Sequence, residues 1–252
     1  MIGYETYGRG SHKVLVLHDW FADHTSYDLV RPFLDPETFT YVFADLRGYG
    51  RSKTIPGECT LLEASQDVIA LVDRLKWAHF DLVTHSMSGQ IGQYVAASHS
   101  DRVTKLVAIT PVPACGSPAP EDVLAFLSDA ALSNDESAIQ IVDFMTGGRH
   151  GPTFAHEKVA LWRRCSIPEA RVAYLQMFSQ TDISDQVKGC LVPCLIIAGA
   201  HDAPAYQSQV FEATLLQWLP HAHLVVCADA GHYPMVEAPA WLAEQIEKFL
   251  QR

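Results

Sequence analysis

The sequence predicts an α/β protein with a doubly wound, mostly parallel sheet and a helical cap inserted after the strand at 104–112. Short apolar runs rich in β-branched residues alternate with amphipathic segments, which is the pattern of strand–helix–strand units. Most of these runs lack polar alternation, so both faces of each strand should be buried. The alternation stops between about residues 112 and 189, where no strand-like run occurs.

Six apolar runs are predicted to be strands. They are KVLVLHD (13–19), TYVFADL (40–46), HFDLVTHS (79–86), TKLVAITPV (104–112), LVPCLIIAG (191–199) and HLVVCADA (223–230). A doubly wound sheet binds its ligands at the carboxyl ends of its strands. The residues that follow each run are therefore the first candidates for a functional site.

Three segments carry apolar residues at helical spacing, namely 60–77, 88–100 and 238–252. The first opens with T-x-x-E, the pattern of a capping box. The region in which the strand–helix alternation stops begins with the Pro-rich PVPACGSPAP and contains the Gly-rich TGGRHGP. It also has helix-like stretches at 156–165 and 169–178. We therefore predict a core formed by 1–111 and 190–252, with a helical cap at 112–189.

The charge and composition of the chain argue against several kinds of binding partner. The net charge of −11, with no cluster of Lys and Arg, argues against nucleic acid or an anionic membrane surface. No apolar stretch is long enough to span a bilayer, and MIGYETYGRG lacks the features of a secretory signal. Six cysteines without a C-x-x-C pair indicate reduced thiols. We expect a cytoplasmic protein that acts on a small molecule.

Neither a metal nor a cofactor is expected. The dinucleotide fingerprint G-x-G-x-x-G is absent from the sequence. His221 and His223 alternate along a predicted strand, but no carboxylate or Cys accompanies them as a further metal ligand.

Ser86 lies in LVTHSMSGQ (83–91), between a predicted strand and a predicted helix. A nucleophile held on such a turn needs small residues two positions before and after it, and Thr84 and Ser88 are small. The N–H of Met87, at the start of the helix, is placed to stabilise an oxyanion. This stretch alone is equally compatible with a Ser that only caps the helix.

Two later loops supply the partners that a serine nucleophile needs. LIIAGAHDAP (195–204) ends a predicted strand and continues into Asp202, and ADAGHYPMVEAPAWL (228–242) places His232 on a loop after the last strand. A histidine base needs a carboxylate to orient its ring. The order Ser86, Asp202, His232 is the one expected for this sheet topology. We therefore predict a Ser–His–Asp triad.

The motifs resemble those of the α/β-hydrolase superfamily over nearly the whole chain. The resemblance is closest to the cap-bearing branch with cofactor-free haloperoxidase-like esterases, enol-lactonases and C–C bond hydrolases. The matching motifs are LHDWF (17–21), DLRGYGRS (45–52), THSMSG (84–89), GAHD (199–202) and GHYPMVEAP (231–239). The resemblance implies the α/β-hydrolase fold, and that the N–H groups of Trp20 and Met87 form the oxyanion hole, with Phe21 as the alternative to Trp20.

The sequence departs from this family pattern at Asp19, which stands where the family usually has Gly after the His of the oxyanion loop. A carboxylate aimed at the hole would oppose the negative charge that develops there. We expect it to point away, towards backbone donors or a nearby cation.

The expected activity is hydrolysis of a small carboxylic ester or lactone through an acyl-enzyme. Phe21, Phe144 and Trp162 are predicted to contact the substrate as part of an apolar pocket. The alternatives within the enzyme class are a C–C bond hydrolase of a ring-fission diketone and a perhydrolase or haloperoxidase-like activity. The alternative from another class is a small-molecule receptor without turnover.

Overall fold

A seven-stranded sheet is the centre of the computed structural model, which describes residues 1–252. The strand order is β1-β3-β2-β4-β5-β6-β7. The strands are β1 (Tyr4–Gly8), β2 (His12–Leu17), β3 (Phe39–Ala44), β4 (Phe80–His85), β5 (Val103–Ile109), β6 (Cys194–Gly199) and β7 (Ala222–Cys227). Six of the seven correspond to the predicted runs and pair in parallel. The predicted fold class is confirmed.

The sequence analysis missed β1, which pairs antiparallel with β3 at the edge of the sheet. Its five residues, YETYG, are half-buried or exposed rather than enclosed on both faces. A short, polar edge strand lacks the apolar run by which the other strands were recognised.

Helices cover both faces of the sheet. They are α1 (Leu61–Arg74), α2 (Met87–Ser98), α3 (Glu121–Leu132), α4 (Asp135–Met145), α5 (Pro152–Cys165), α6 (Pro168–Gln180), α7 (Ser184–Val187), α8 (Ser208–Ala213), α9 (Leu215–Trp218), α10 (Pro234–Glu237) and α11 (Pro239–Leu250). Helix α1 begins as its sequence predicts, because the Thr60 hydroxyl accepts the Glu63 N–H. None of the helices has the length and apolar character needed to cross a membrane.

Helices α3 to α7 all lie between β5 and β6. The guanidinium of Arg171, buried on α6, donates to the carbonyls of Ala131 and Leu132 at the end of α3. The indole N–H of Trp20 donates to the Arg171 carbonyl at 2.8 Å. This inserted helical region is thereby tied to the loop that follows β2.

Close packing of α2 on the sheet depends on two glycines. A Cβ at Gly92 would lie 2.6 Å from Thr84 Cγ2, and a Cβ at Gly89 would lie 2.4 Å from Pro111 Cβ. Gly92 therefore leaves the space in which a Thr fits at position 84. This is why Thr84 is accommodated where a nucleophile turn commonly has Gly.

Asp45 holds the turn of DLRGYGRS together. Its carboxylate accepts the backbone N–H groups of His24 and Arg51, each at 2.8 Å, and His24 Nδ1 at 2.8 Å. His24 Nε2 lies 3.2 Å from Glu5 Oε2, so the ring stands between two carboxylates. The hydrogen bond to Asp45, opposed by burial, raises the pKa of His24 above its usual value.

We expect the stabilising effect of His24 to depend on pH. Because its pKa is raised in the folded state, the stabilisation is full below the ordinary histidine pKa of about 6.5 and is lost as pH rises through the raised value. The Tm of the wild type should exceed that of His24→Gln most at pH 5.5–6, and the gap should narrow by roughly a few degrees by pH 9. Thermal unfolding measures this, with the exposed His156→Gln as control. A gap that widens with pH would contradict it.

Candidate active site

Ser86 lies at the turn between β4 and α2 in a backbone conformation that L-residues rarely adopt, with φ 53° and ψ −116°. Backbone hydrogen bonds hold this conformation. The Ser86 N–H donates to the Ile109 carbonyl at 3.0 Å, and the Ser86 carbonyl accepts the N–H groups of Gly89 and Val112. The turn lifts the hydroxyl above the carboxyl edge of the sheet.

The structure brings the three predicted residues together in one hydrogen-bonded chain. Ser86 Oγ lies 2.8 Å from His232 Nε2, and His232 Nδ1 lies 2.8 Å from Asp202 Oδ2. Because a carboxylate only accepts, Nδ1 carries the proton and Nε2 is free to accept the serine proton. All three side chains are buried. Burial raises the pKa of Asp202, against the opposing effect of His232.

The backbone of His232 is held from two sides. Its carbonyl accepts hydrogen bonds from His85 Nε2 at 2.7 Å and from Thr110 Oγ1 at 3.1 Å. Its N–H donates to the carbonyl of Met145, the last residue of α4, at 3.0 Å. The inserted helices thus help to position the imidazole. Sequence reasoning missed His85 and Thr110, although His85 is the residue immediately before Ser86.

His18 fixes the peptide between Asp19 and Trp20 in the loop after β2. His18 Nε2 accepts the Leu46 N–H at 3.0 Å, which leaves the proton on Nδ1, and Nδ1 donates to the Asp19 carbonyl at 2.7 Å. In a trans peptide the N–H points away from the carbonyl, so this bond turns the Trp20 N–H away from His18. The N–H groups of Trp20, Phe21 and Met87 have no acceptor within the protein.

Comparison with known proteins identifies the family. The family model described as "Alpha/beta hydrolase family" matches residues 14–245. This chain is an α/β hydrolase. A relative named 3-oxoadipate enol-lactonase 2, from Acinetobacter baylyi, is 21% identical to this chain, and the alignment covers 100% of this chain and 93% of the relative. A pimeloyl-[acyl-carrier protein] methyl ester esterase from Salmonella agona is 28% identical, with 95% and 94% covered.

Solved structures show the same fold. An esterase from Exiguobacterium antarcticum superposes with a TM-score of 0.89 at 18% identity, covering 100% of this chain and 96% of that one. A bromoperoxidase from Bacillus anthracis superposes with a TM-score of 0.87 at 18% identity, covering 100% and 95%. The resemblance drawn from the motifs is confirmed at the level of the family.

In this hydrolase Ser88, two positions after Ser86, forms hydrogen bonds in addition to being small. Ser88 Oγ accepts the His85 N–H at 3.0 Å and lies 3.0 Å from the His85 carbonyl and 3.3 Å from the Leu17 carbonyl. A glycine at this position would leave the His85 N–H without this acceptor, and the carbonyls of His85 and Leu17 without this donor. The side chain therefore links the end of β2 to the turn after β4.

Asp19 is buried, and Lys158 of α5 approaches it. Lys158 Nζ lies 3.8 Å from Asp19 Oδ2 and 4.1 Å from the centre of the Tyr233 ring. His85 Nδ1 is 3.6 Å from the same Oδ2 atom, but burial lowers the pKa of His85 to about 3, so the ring is neutral. Burial opposes ionisation of Asp19, but Lys158 and the neighbouring histidines together outweigh it, leaving the pKa of Asp19 below its usual value.

The cation that the sequence analysis allowed for near Asp19 is therefore Lys158. No sequence signal identified it, because 139 positions separate the two residues along the chain. The pair places one negative and one positive charge together in the region of Trp20 and Phe21. Lys158 therefore reduces the negative potential that Asp19 alone would produce there.

A cavity of about 700 Å³ opens above Ser86 and His232, and 14 of its 21 lining residues are hydrophobic. The inserted helices α3, α4 and α6 contribute much of the wall. Phe21 and Phe144 line the cavity, and their contact with substrate stays a prediction. Tyr206, which sequence reasoning missed, also lines it, with its ring 4.7 Å from the His232 ring.

Trp162 does not line this cavity, and its assignment to substrate contact is corrected here. The side chain is fully buried, with its ring 4.0 Å from Phe21 and 4.8 Å from Trp20. The Trp162 side chain on α5 faces the protein interior rather than the cavity. It therefore packs against the rings of Trp20 and Phe21.

The strained backbone at Ser86 should lower the stability of variants that keep a side chain at this position. Both Ser86→Ala and Ser86→Gly remove the hydroxyl, but only glycine adopts a φ of 53° without steric cost. We expect Ser86→Gly to be more stable by about 1 kcal/mol, or roughly 2–4 °C in Tm. At Ser98, the last residue of α2, the Gly variant should instead be less stable than the Ala variant, because glycine weakens helices. Thermal unfolding of the four variants decides it.

The buried Asp19–Lys158 pair should behave as a coupled unit. Lys158→Met leaves the Asp19 carboxylate buried without its cation, and we expect a loss of about 3 kcal/mol in the free energy of unfolding. Adding Asp19→Gly should recover most of that loss, because the unpaired charge is then gone. Urea unfolding of the two single variants and the double variant measures the coupling. Additive losses would contradict an interaction between the two side chains.

Proposed function

We propose that this protein is a serine hydrolase that cleaves a small carboxylic ester or lactone through an acyl-enzyme. The observation that carries the proposal is the chain Ser86–His232–Asp202, with two contacts of 2.8 Å, at the floor of an apolar cavity. The esterase and enol-lactonase named above support this reaction class, because both names describe cleavage of an ester bond.

The first half-reaction makes the acyl-enzyme. Ser86 Oγ attacks the carbonyl carbon while His232 Nε2 takes the hydroxyl proton, and the carbonyl oxygen becomes an oxyanion. Asp202 keeps the proton of His232 on Nδ1 and stabilises the imidazolium that forms. His232 then gives its proton to the leaving alkoxide, and the C–O bond breaks. In a lactone the leaving oxygen stays attached to the acyl group.

The oxyanion is stabilised by two backbone N–H groups. Met87 is the first residue of α2, so its N–H lies at the positive end of the helix. Trp20 supplies the second donor, since His18 and Asp19 fix the orientation of its peptide. The Phe21 N–H is the alternative second donor. Each such donor contributes about 3 kcal/mol to the transition state.

The second half-reaction releases the acid. Water enters in place of the alcohol, His232 Nε2 takes one of its protons, and the resulting hydroxide attacks the acyl carbonyl. The second tetrahedral intermediate collapses by breaking the bond to Ser86 Oγ, which regains a proton from His232. The apolar lining of the cavity suits a hydrophobic acyl group or lactone ring.

We expect Ser86→Ala to lower kcat/KM for p-nitrophenyl butyrate by about a thousandfold or more, because the nucleophile is absent. Hydrolysis rates measure this, and the exposed Ser100→Ala variant should retain wild-type rates. A serine-directed fluorophosphonate should add its mass to the peptide containing Ser86 in the wild type and not in Ser86→Ala. Equal rates for the wild type and Ser86→Ala across ester and lactone panels would overturn the proposal.

A further inference from the structure

The cavity above Ser86 contains no cationic lining residue. Of its lining side chains, only Asp19 is a carboxylate, and the other polar ones are Ser86, Ser117, Gln140, Tyr206, His232 and Tyr233. The ammonium group of Lys158 contacts the lining residues Asp19 and Tyr233, and Asp19 already balances its charge. The interior therefore offers no unpaired positive group to an anionic part of a substrate.

The entrance to the cavity is formed in part by α3 and α4. Val123, Phe126 and Phe144 of these helices line the cavity and are also exposed, so they stand at its mouth. Residues 121–145 carry six carboxylates and neither Lys nor Arg: Glu121, Asp122, Asp129, Asp135, Glu136 and Asp143. The two helices are thus uniformly negative.

Most of this negative charge is not neutralised by neighbours. Asp135 pairs with Arg163 at 2.7 Å. The other carboxylates of α3 and α4 form no salt bridge, and the side chains of Glu121, Asp122 and Glu136 are exposed. Arg149, just after α4, is already paired with Glu237 at 3.0 Å. A low-dielectric cavity beneath such a mouth concentrates the negative potential along the route of entry.

We propose that this hydrolase selects uncharged or cationic esters and discriminates against substrates with an anionic group. The inference rests on the proposed function and specifies its substrate class. Two independent observations carry it, namely a cavity lining without a cation and entrance helices without a basic residue. A substrate presented on an anionic carrier would meet the same repulsion.

Three butyrate esters of similar size test the selection. They are butyrylcholine (cationic), 3,3-dimethylbutyl butyrate (neutral) and 2-sulfoethyl butyrate (anionic). Each kcat/KM is divided by the rate of alkaline hydrolysis of the same ester, which removes differences between leaving groups. At about 10 mM ionic strength we expect the sulfoethyl ester to be at least tenfold poorer than the neutral ester, and the choline ester at least equal to it. The deficit should shrink severalfold at 0.5 M salt.

Charge variants locate the effect. The variant E121Q/D122N/E136Q/D143N should reduce the discrimination at least threefold. The control E58Q/D101N/E212Q/E244Q changes the net charge equally at exposed positions that do not line the cavity, and should leave the discrimination within about twofold. Circular dichroism establishes that both variants are folded.

The outcomes separate this inference from the proposed function. Hydrolysis of the neutral ester by the wild type and not by Ser86→Ala supports the function whatever the charge dependence. An anionic ester cleaved as well as the neutral ester at low salt would overturn the substrate selection. Equal effects of the entrance and control variants would also overturn it, because net charge rather than the mouth would then be responsible.

Discussion

The close approach of α2 to β4 and β5 is the constraint on which the site depends. At that junction Ser86 is held at φ 53°, while Gly89 and Gly92 allow the helix to lie against Pro111 and Thr84. The same geometry presents the first N–H groups of α2 to the space above the sheet. The proposed nucleophile and the proposed oxyanion donor of α2 therefore both depend on the same packing contact.

The parallel arrangement of the strands brings residues from the ends of several strands into the site. Strands β4, β6 and β7 end at one edge, so the loops after them place Ser86, Asp202 and His232 within hydrogen-bond reach although 146 residues separate the first from the last. The carbonyl of His232 is fixed by His85 and Thr110 from the neighbouring strand ends. The imidazole is oriented by its own backbone contacts as well as by Asp202.

The inserted helices connect the chemistry to the cavity. Lys158 of α5 reaches the buried Asp19, and Met145 at the end of α4 accepts the N–H of His232. Helices of the inserted region thus contact both the loop after β2 and His232. The buried charge of Asp19 in that loop is balanced by Lys158 of the same region.

The α/β class, six of the seven strands and the three polar residues at strand ends can be predicted from the sequence alone. Apolar runs and motif order are local properties, and a parallel sheet converts their order into proximity. The cation beside Asp19, the donors to the His232 carbonyl and the interior position of Trp162 are visible only in the folded structure. Those depend on contacts between residues far apart in the chain. The periodicity of a helix identifies an apolar face, but the packing of its neighbours decides whether that face meets core or cavity.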